Sequence, residues 1–444
     1  MDNGVLAGVG LVARVLQDGS RWGGMGEKRD MSASSSITLD EVRTGSKGIK
    51  AFFVVQLIGL ILLQKFAIPI GGEKLELCLP IMLVSLVAFC MRNPFRIEPI
   101  RMALLAAFFG LALIGEWLGA HPFSMNAMLV LLALYACMCI RVDVSEETYL
   151  ECMNYFLNAM LWVAAVVVVQ HAIQLVQSAQ AWPNLDKILP RALLMDGYNY
   201  LQPLKYGARF YKPNAVVFLE VSLISQFTAL AVIIELVYFA RIWRLAVYAG
   251  VLVAIFAGTG LLLLALAAPV LALKLPPKRL ALAVFGLVVV AVIAVASGWF
   301  DQIKDRIFEF QHQGTSGYYR FTMQFLTLRD RLREPDALLV GLGAGSTPTG
   351  GAFILVPPVK LVYEYGTLQA IIFFTFFLYS IYAGAPSQRV ATGFLLLYVV
   401  GGGGLAVPVY VLTCVLFCSL LRVSRAPEPT NVQFQKFILA HGSA

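Results

Sequence analysis

The segment Lys205-Tyr206-Gly207-Ala208-Arg209-Phe210-Tyr211-Lys212-Pro213-Asn214 sets three bases among three aromatic residues just before a long apolar run. An arginine presents a planar fork matched to phosphate oxygens, and a lysine adds a compact point charge. Chemistry of this kind suits an anionic ligand. Tyr206 and Tyr211 could stack on sugar faces; equally, the aromatic residues could form an interfacial belt whose bases meet anionic headgroups. A second polar stretch holds Tyr318-Tyr319-Arg320 at the start of an amphipathic segment running to Asp336, expected to be helical and to lie near a membrane surface. Beyond it, Gly341-Leu342-Gly343-Ala344-Gly345 lacks the strand and helix that would make it a nucleotide loop, and reads as a flexible turn.

Two carboxylates fall where charge is costly. Glu364 heads an apolar run, and Glu220 lies inside another. An ionisable group in such a place is a candidate for function. Glu364 also has a simpler role open to it, because Lys360 is one helical turn away on the same face. Either carboxylate could act as a general base. The four histidines, His121, His171, His312 and His441, are scattered, and no metal-binding or nucleophilic constellation is present. No metal or cofactor is expected.

The elements that must position these residues are apolar. Of the 444 residues, 59% are hydrophobic and 14% charged, against about 25% charged in soluble domains. Apolar runs recur at about 50–68, 75–91, 102–119, 123–140, 155–177, 213–240, 245–257, 260–274, 280–297, 359–383, 390–404 and 405–421. They predict an all-α polytopic membrane protein of about twelve transmembrane helices. Its transmembrane domain would span 49–425, between a disordered tail at 1–48 and a second tail at 426–444. With that count, Lys50, Arg92, Arg101, Arg141, Arg241, Arg244, Lys278, Arg389 and Arg422 all fall on one side, which the positive-inside rule makes cytoplasmic, with both termini.

Two long loops, 178–212 and 298–358, are then extracytoplasmic. The first carries Lys187, Arg191, Lys205, Arg209 and Lys212 against only Asp186 and Asp196. Cations held on that face need a reason, and an anionic ligand supplies one. The net charge of +8 does not point to nucleic acid, because the bases sit at the ends of apolar runs. The seven cysteines lie in or beside those runs, away from the two loops, and act as small apolar residues.

A loop ending in Arg209 and Pro213-Asn214, followed by a second with Arg320, Gly341-Leu342-Gly343-Ala344-Gly345 and Glu364-Tyr365-Gly366, resembles the O-antigen ligase/polymerase superfamily. The resemblance covers roughly 50–420. It implies a GT-C-like fold with two long periplasmic loops in a bacterial inner membrane, and a metal-independent glycosyltransferase acting on undecaprenyl-diphosphate-linked glycans. By the same likeness Arg209 and Arg320 would hold the diphosphate, with Arg191, Lys205 and Lys212 in support from their charge alone; Tyr206, Tyr211 and Tyr319 are the candidate sugar contacts. Ligases of the superfamily carry a histidine where this chain has the helix beginning near Lys360, and an arginine where it reads Ala257-Gly258-Thr259-Gly260. Both are missing, so a polymerase, similar to those that build exopolysaccharides such as xanthan, is the better fit. A chain-length regulator is the partner the resemblance implies. Ligase-type transfer to another acceptor, or a flippase for lipid-linked oligosaccharides, are the alternatives; two unequal halves and charges gathered at the outer face weigh against a transporter.

Overall fold

A computed structural model describes residues 39–70, 73–119, 124–177, 188–196, 201–204, 210–274, 276–296, 318–346, 355–401 and 405–423, with a few single positions between them. The chain divides into a first unit, Met1–Thr44, and a second, Gly45–Ala444. The helices are α1 Leu39–Leu62, α2 Cys78–Cys90, α3 Pro99–Leu118, α4 Met125–Ala136, α5 Glu146–Val176, α6 Val221–Ile234, α7 Ile242–Ala254, α8 Gly258–Lys274, α9 Pro277–Ala296, α10 Gln324–Arg331, α11 Pro357–Tyr365, α12 Thr367–Gly384, α13 Gln388–Val400 and α14 Pro408–Cys414. A π-helical turn extends α6 over Glu235–Phe239 and α14 over Val415–Ser419; another, Tyr319–Met323, leads into α10.

The apolar runs therefore fold as helices, as their composition demands. Among the described residues, four helices are long and apolar enough to cross a membrane: α3, α5, α6 with its π turn, and α12. Others are short. The 13 residues of α2, α7 and α13 rise about 20 Å, less than the roughly 30 Å of a bilayer's hydrocarbon. Helix α1 starts at Leu39, inside the stretch read as a tail. The segment after Tyr318 is helical to Arg331, short of the Asp336 that the amphipathic pattern predicts, and turns follow.

Small sheets mark the two ends of the helix bundle. At one end, strands β1 Ala67–Ile70 and β2 Glu73–Glu76 form an antiparallel hairpin. At the other, β3 Arg96–Ile97, β4 Ile140–Val144 and β5 Leu421–Val423 make a three-stranded sheet, antiparallel between β3 and β4 and parallel between β4 and β5. The remaining connections join one end or the other through their contacts. Arg244 reaches Asn154 and Asn158 near the sheet end of α5, and Arg279 donates to the Leu236 carbonyl. On the hairpin side, Phe66 bridges Leu194 and Glu76 accepts from the Val409 N–H. There too Gln226 donates to the Gly401 carbonyl, and Ser225 to that of Ala257. Among the described residues, the connections that these contacts place alternate between the two ends.

Several bases at the sheet end are structural. Arg101 is 1% exposed and donates to the carbonyls of Met138 and Ser419 at 2.8 and 2.9 Å. Buried Glu235 accepts from Arg241 at 2.8 and 2.9 Å, and Arg241 continues to Asn154.

Two runs read as continuous helices are broken at the hairpin end. The run 213–240 becomes helical only at Val221. The run 359–383 is interrupted at Gly366, with φ 98°. Both breaks carry residues singled out by their chemistry.

Candidate functional site

Residues 211–220 enter the bundle as irregular, mostly buried backbone. Pro213 removes one donor, and Ala215 and Val216 both take positive φ, 50° and 65°. For a β-branched valine this conformation is strained by about 1–2 kcal/mol. Unpaired backbone groups buried among apolar helices are costly, so irregular chain survives there only when neighbours satisfy it.

Two glutamines do so directly, and a third acts through Asn214. Gln174 of α5 accepts from the Tyr211 N–H at 2.7 Å and donates to the Tyr211 carbonyl at 3.0 Å. One turn earlier, Gln170 donates to Asn214 Oδ1, which also accepts from the Val216 N–H at 3.0 Å. At the C-terminal side of α1, Gln64 accepts from the Leu219 N–H at 3.2 Å. An amide side chain carries both donor and acceptor, which is what a stretch of unpaired backbone needs. A pair of bonds between Leu204 and Phe210, and between Lys212 and Gln202, closes the chain just before it enters.

This lead-in places Lys212 at 7% exposure, beside Asn214 at 2%. A cation this far out of water is a strong local charge. Glu220 was expected within a helix. It caps α6 instead, half-buried in extended conformation, and accepts from the Ser222 hydroxyl at 2.7 Å. Tyr211 is half-buried and held by its backbone.

The second break holds Glu364. It is 2% exposed, and Lys360 Nζ lies 3.5 Å from its Oε1, the pairing that their spacing predicts. Residues 337–343 run through the gap between α11 and α12. Leu342 and Gly343 donate to the Tyr363 and Glu364 carbonyls, while Ala337 and Leu338 accept from Thr367 and Leu368. Gln369 donates to the Leu339 carbonyl at 2.7 Å, and Glu116 of α3 accepts from the Ala344 N–H at 2.7 Å. The glycines here are not a flexible turn. A side chain at Gly341 would collide with the Glu364 carbonyl, and Gly343 and Gly345 sit at φ 96° and 74°. Only glycine fits that close approach and tolerates that backbone.

The other predicted residues are spread out. Arg191 is exposed on a short 3₁₀ turn, Arg191–Leu193, whose carbonyl accepts from Lys74 at 2.7 Å. Lys74 also binds the Leu194 carbonyl and Asp196, tying the hairpin to the first long loop. Tyr319 is half-buried, edge-on to Tyr318 at 5.9 Å. The backbone of Arg320 belongs to the π turn, and its side chain lies outside the described residues, as do Lys205, Tyr206 and Arg209 entirely. Lys212 and Glu220 thus share one break, and Lys360 and Glu364 the other. Among the described residues no cluster of three histidine, cysteine or acidic side chains could hold a metal.

Sequence reasoning missed Gln64, Gln170, Gln174 and Glu116. The signal for two of them was present: Gln170 and Gln174 are four apart, on one face of the largely apolar C-terminal half of α5. Compared with protein-family profiles, with curated proteins and with solved structures, the chain matches none of them.

Proposed function

We propose that this chain is a multi-pass membrane glycosyltransferase that joins undecaprenyl-diphosphate-linked oligosaccharide repeats into a polysaccharide at the outer face of a bacterial inner membrane. The observation that carries the reading is the buried, strained lead-in to α6. It delivers Lys212 into the bundle at the end of a segment rich in bases and tyrosines. The alternation of connections between two ends supports twelve crossings of GT-C-like type with both termini cytoplasmic. The hairpin end, which carries both breaks, is then periplasmic.

In this mechanism the acceptor hydroxyl of one lipid-linked repeat attacks the anomeric carbon of a chain carried by a second lipid. The bond from that carbon to the diphosphate oxygen breaks, and undecaprenyl diphosphate departs with the developing charge. Arg209, Arg320 and Lys212 stabilise that charge, each such contact being worth roughly 3–4 kcal/mol. Glu220 shares a break with Lys212 and is the better placed base. Glu364 is held by Lys360. No cofactor enters the balance, and a chain-length regulator is the expected partner.

The test uses protein in nanodiscs with a defined lipid-linked repeat and no nucleotide sugar, the glycans being resolved by mass. A polymer ladder with release of the lipid diphosphate is expected, and Lys212→Ala should cut its rate by about 100-fold or more. One feature favours a second reading: broken helices also line the binding sites of transporters. Movement of labelled lipid across the bilayer without a ladder would establish a flippase and overturn the polymerase.

A further inference from the structure

At the sheet end, opposite both breaks, a cleft of about 390 Å³ lies between the π turn of α6 and the start of α13. Val237, Tyr238, Pro386, Ser387, Gln388 and Arg389 line it. Arg101, Arg141, Arg241, Arg244 and Arg279, at the same end, are engaged with carbonyls or carboxylates. Arg389 differs: its guanidinium makes no hydrogen bond or ion pair among the described residues. The Tyr238 hydroxyl is buried, and approaches Tyr149 and Ser387 without a hydrogen bond of ordinary geometry.

The lining contains no acid. Glu235, at the start of the same π turn, is neutralised by Arg241 and Arg244, and Glu146, whose field reaches Tyr238, stands outside the cleft. A guanidinium with no counter-charge in the lining, beside the apolar Val237 and Pro386, suits a phosphate ester that carries an apolar body. Beside the cleft, α7 exposes Ile242 at 66% and Trp243 at 55%, and such a surface suits acyl chains and the headgroup boundary.

We propose that this cleft binds the phosphate of an anionic phospholipid from the leaflet at the sheet end, apart from the site for lipid-linked glycans. Arg389 would pair with the phosphate as a fork, and the hydroxyl of Ser387 would turn to donate to one of its remaining oxygens. The leaflet is cytoplasmic if the topology proposed above holds; the binding itself rests only on the cleft.

Native mass spectrometry of the full chain released from nanodiscs tests it. Discs of phosphatidylcholine alone are compared with discs containing phosphatidylglycerol, with and without soluble glycerol phosphate. The chain should retain phosphatidylglycerol preferentially. Arg389→Ala should lose about fivefold of that preference, as expected for one basic side chain near a headgroup. Ser387→Ala should weaken retention, and Arg389→Lys should keep part of what Arg389→Ala loses. Arg92→Ala, an exposed base at the same end, should change nothing. Equal loss in Arg92→Ala and Arg389→Ala would mean unspecific charge attraction and overturn the site. Full displacement by equimolar glycerol phosphate would overturn the lipid assignment in favour of a soluble phosphate ester. Because retention is read without glycan substrate, a failed polymer assay leaves this result standing.

Discussion

Replacing Glu76 by glutamine should remove a pH dependence of stability that the fold builds in. Glu76 lies on β2, outside the helices, and is 2% exposed. Its carboxylate accepts from the Cys78 thiol at 3.4 Å and from the Val409 N–H at 3.3 Å, and no cation pairs with it among the described residues. Burial disfavours the charged form and outweighs both hydrogen bonds, so the carboxyl is pushed up from 4.5 to about 7. Below about pH 4.5 the group is protonated in folded and unfolded chain alike, and its contribution is at its maximum. As pH rises toward 7 the unfolded chain releases the proton while the folded chain keeps it. Stability therefore falls across that window, by about 3 kcal/mol in all, and is flat above it. Glutamine keeps an acceptor for Val409 and never ionises. The assay is unfolding of wild type and Glu76→Gln in identical nanodiscs from pH 4 to 8.5, read as the difference between them so that other titrations cancel. Near pH 4 the two should be close, and by pH 8 the variant should be more stable by about 3 kcal/mol. A difference that stays constant with pH would refute the reasoning, because it would mean that Glu76 is hydrated or paired in the membrane-embedded protein.

The two breaks give three more expectations. Gly341→Ala drives a methyl group into the Glu364 carbonyl, and should cost about 3 kcal/mol or more, read as a lowered midpoint of unfolding. Gln174→Leu keeps the volume but strips both partners from the Tyr211 backbone; limited trypsin digestion should then cleave at Lys205 or Arg209 several times faster, as about 1–3 kcal/mol per orphaned group implies. Val216→Gly relieves the residue at φ 65°. It should be neutral or stabilising despite the lost side chain, with about 1–2 kcal/mol of strain removed, and a fall in the midpoint would show that the valine is not strained.

Composition and spacing made the helices legible because lipid as a solvent leaves few alternatives to a long apolar run. Residues 221–239 and 367–384 obey that logic. The pairing of Lys360 with Glu364 was legible for an equally local reason, since four residues is one helical turn. The lead-in to α6 was not. Ala215, Val216, Val217 and Phe218 are as apolar as the helix they precede, so hydropathy cannot distinguish them from it. What unwinds them is Pro213 together with amide groups from α1 and α5, more than thirty residues away at the nearest. The glycines from 341 to 345 misled in the opposite direction. Their freedom in an isolated chain suggests mobility, yet here it allows backbone to pass against backbone where no side chain fits.

Both breaks obey one physical rule, and that rule makes them better candidates for function than any single residue's charge. An interrupted helix leaves carbonyls and N–H groups that an apolar surrounding will not tolerate. At α11 and α12 those groups are taken up by another stretch of backbone, which fixes Glu364 against Lys360 and leaves little room to move. At α6 they are taken up by side chains: Gln64, Gln174 and Asn214 bond the backbone, and Gln170 holds Asn214. The α11 break is thus held by backbone, and the α6 break by polar side chains. The strain at Ala215 and Val216 and the buried charge of Lys212 fall on the second. If the proposed function holds, a site for the diphosphate is better sought along residues 211–220 than beside Glu364, although hydropathy alone marks Glu364 as the more conspicuous of the two places.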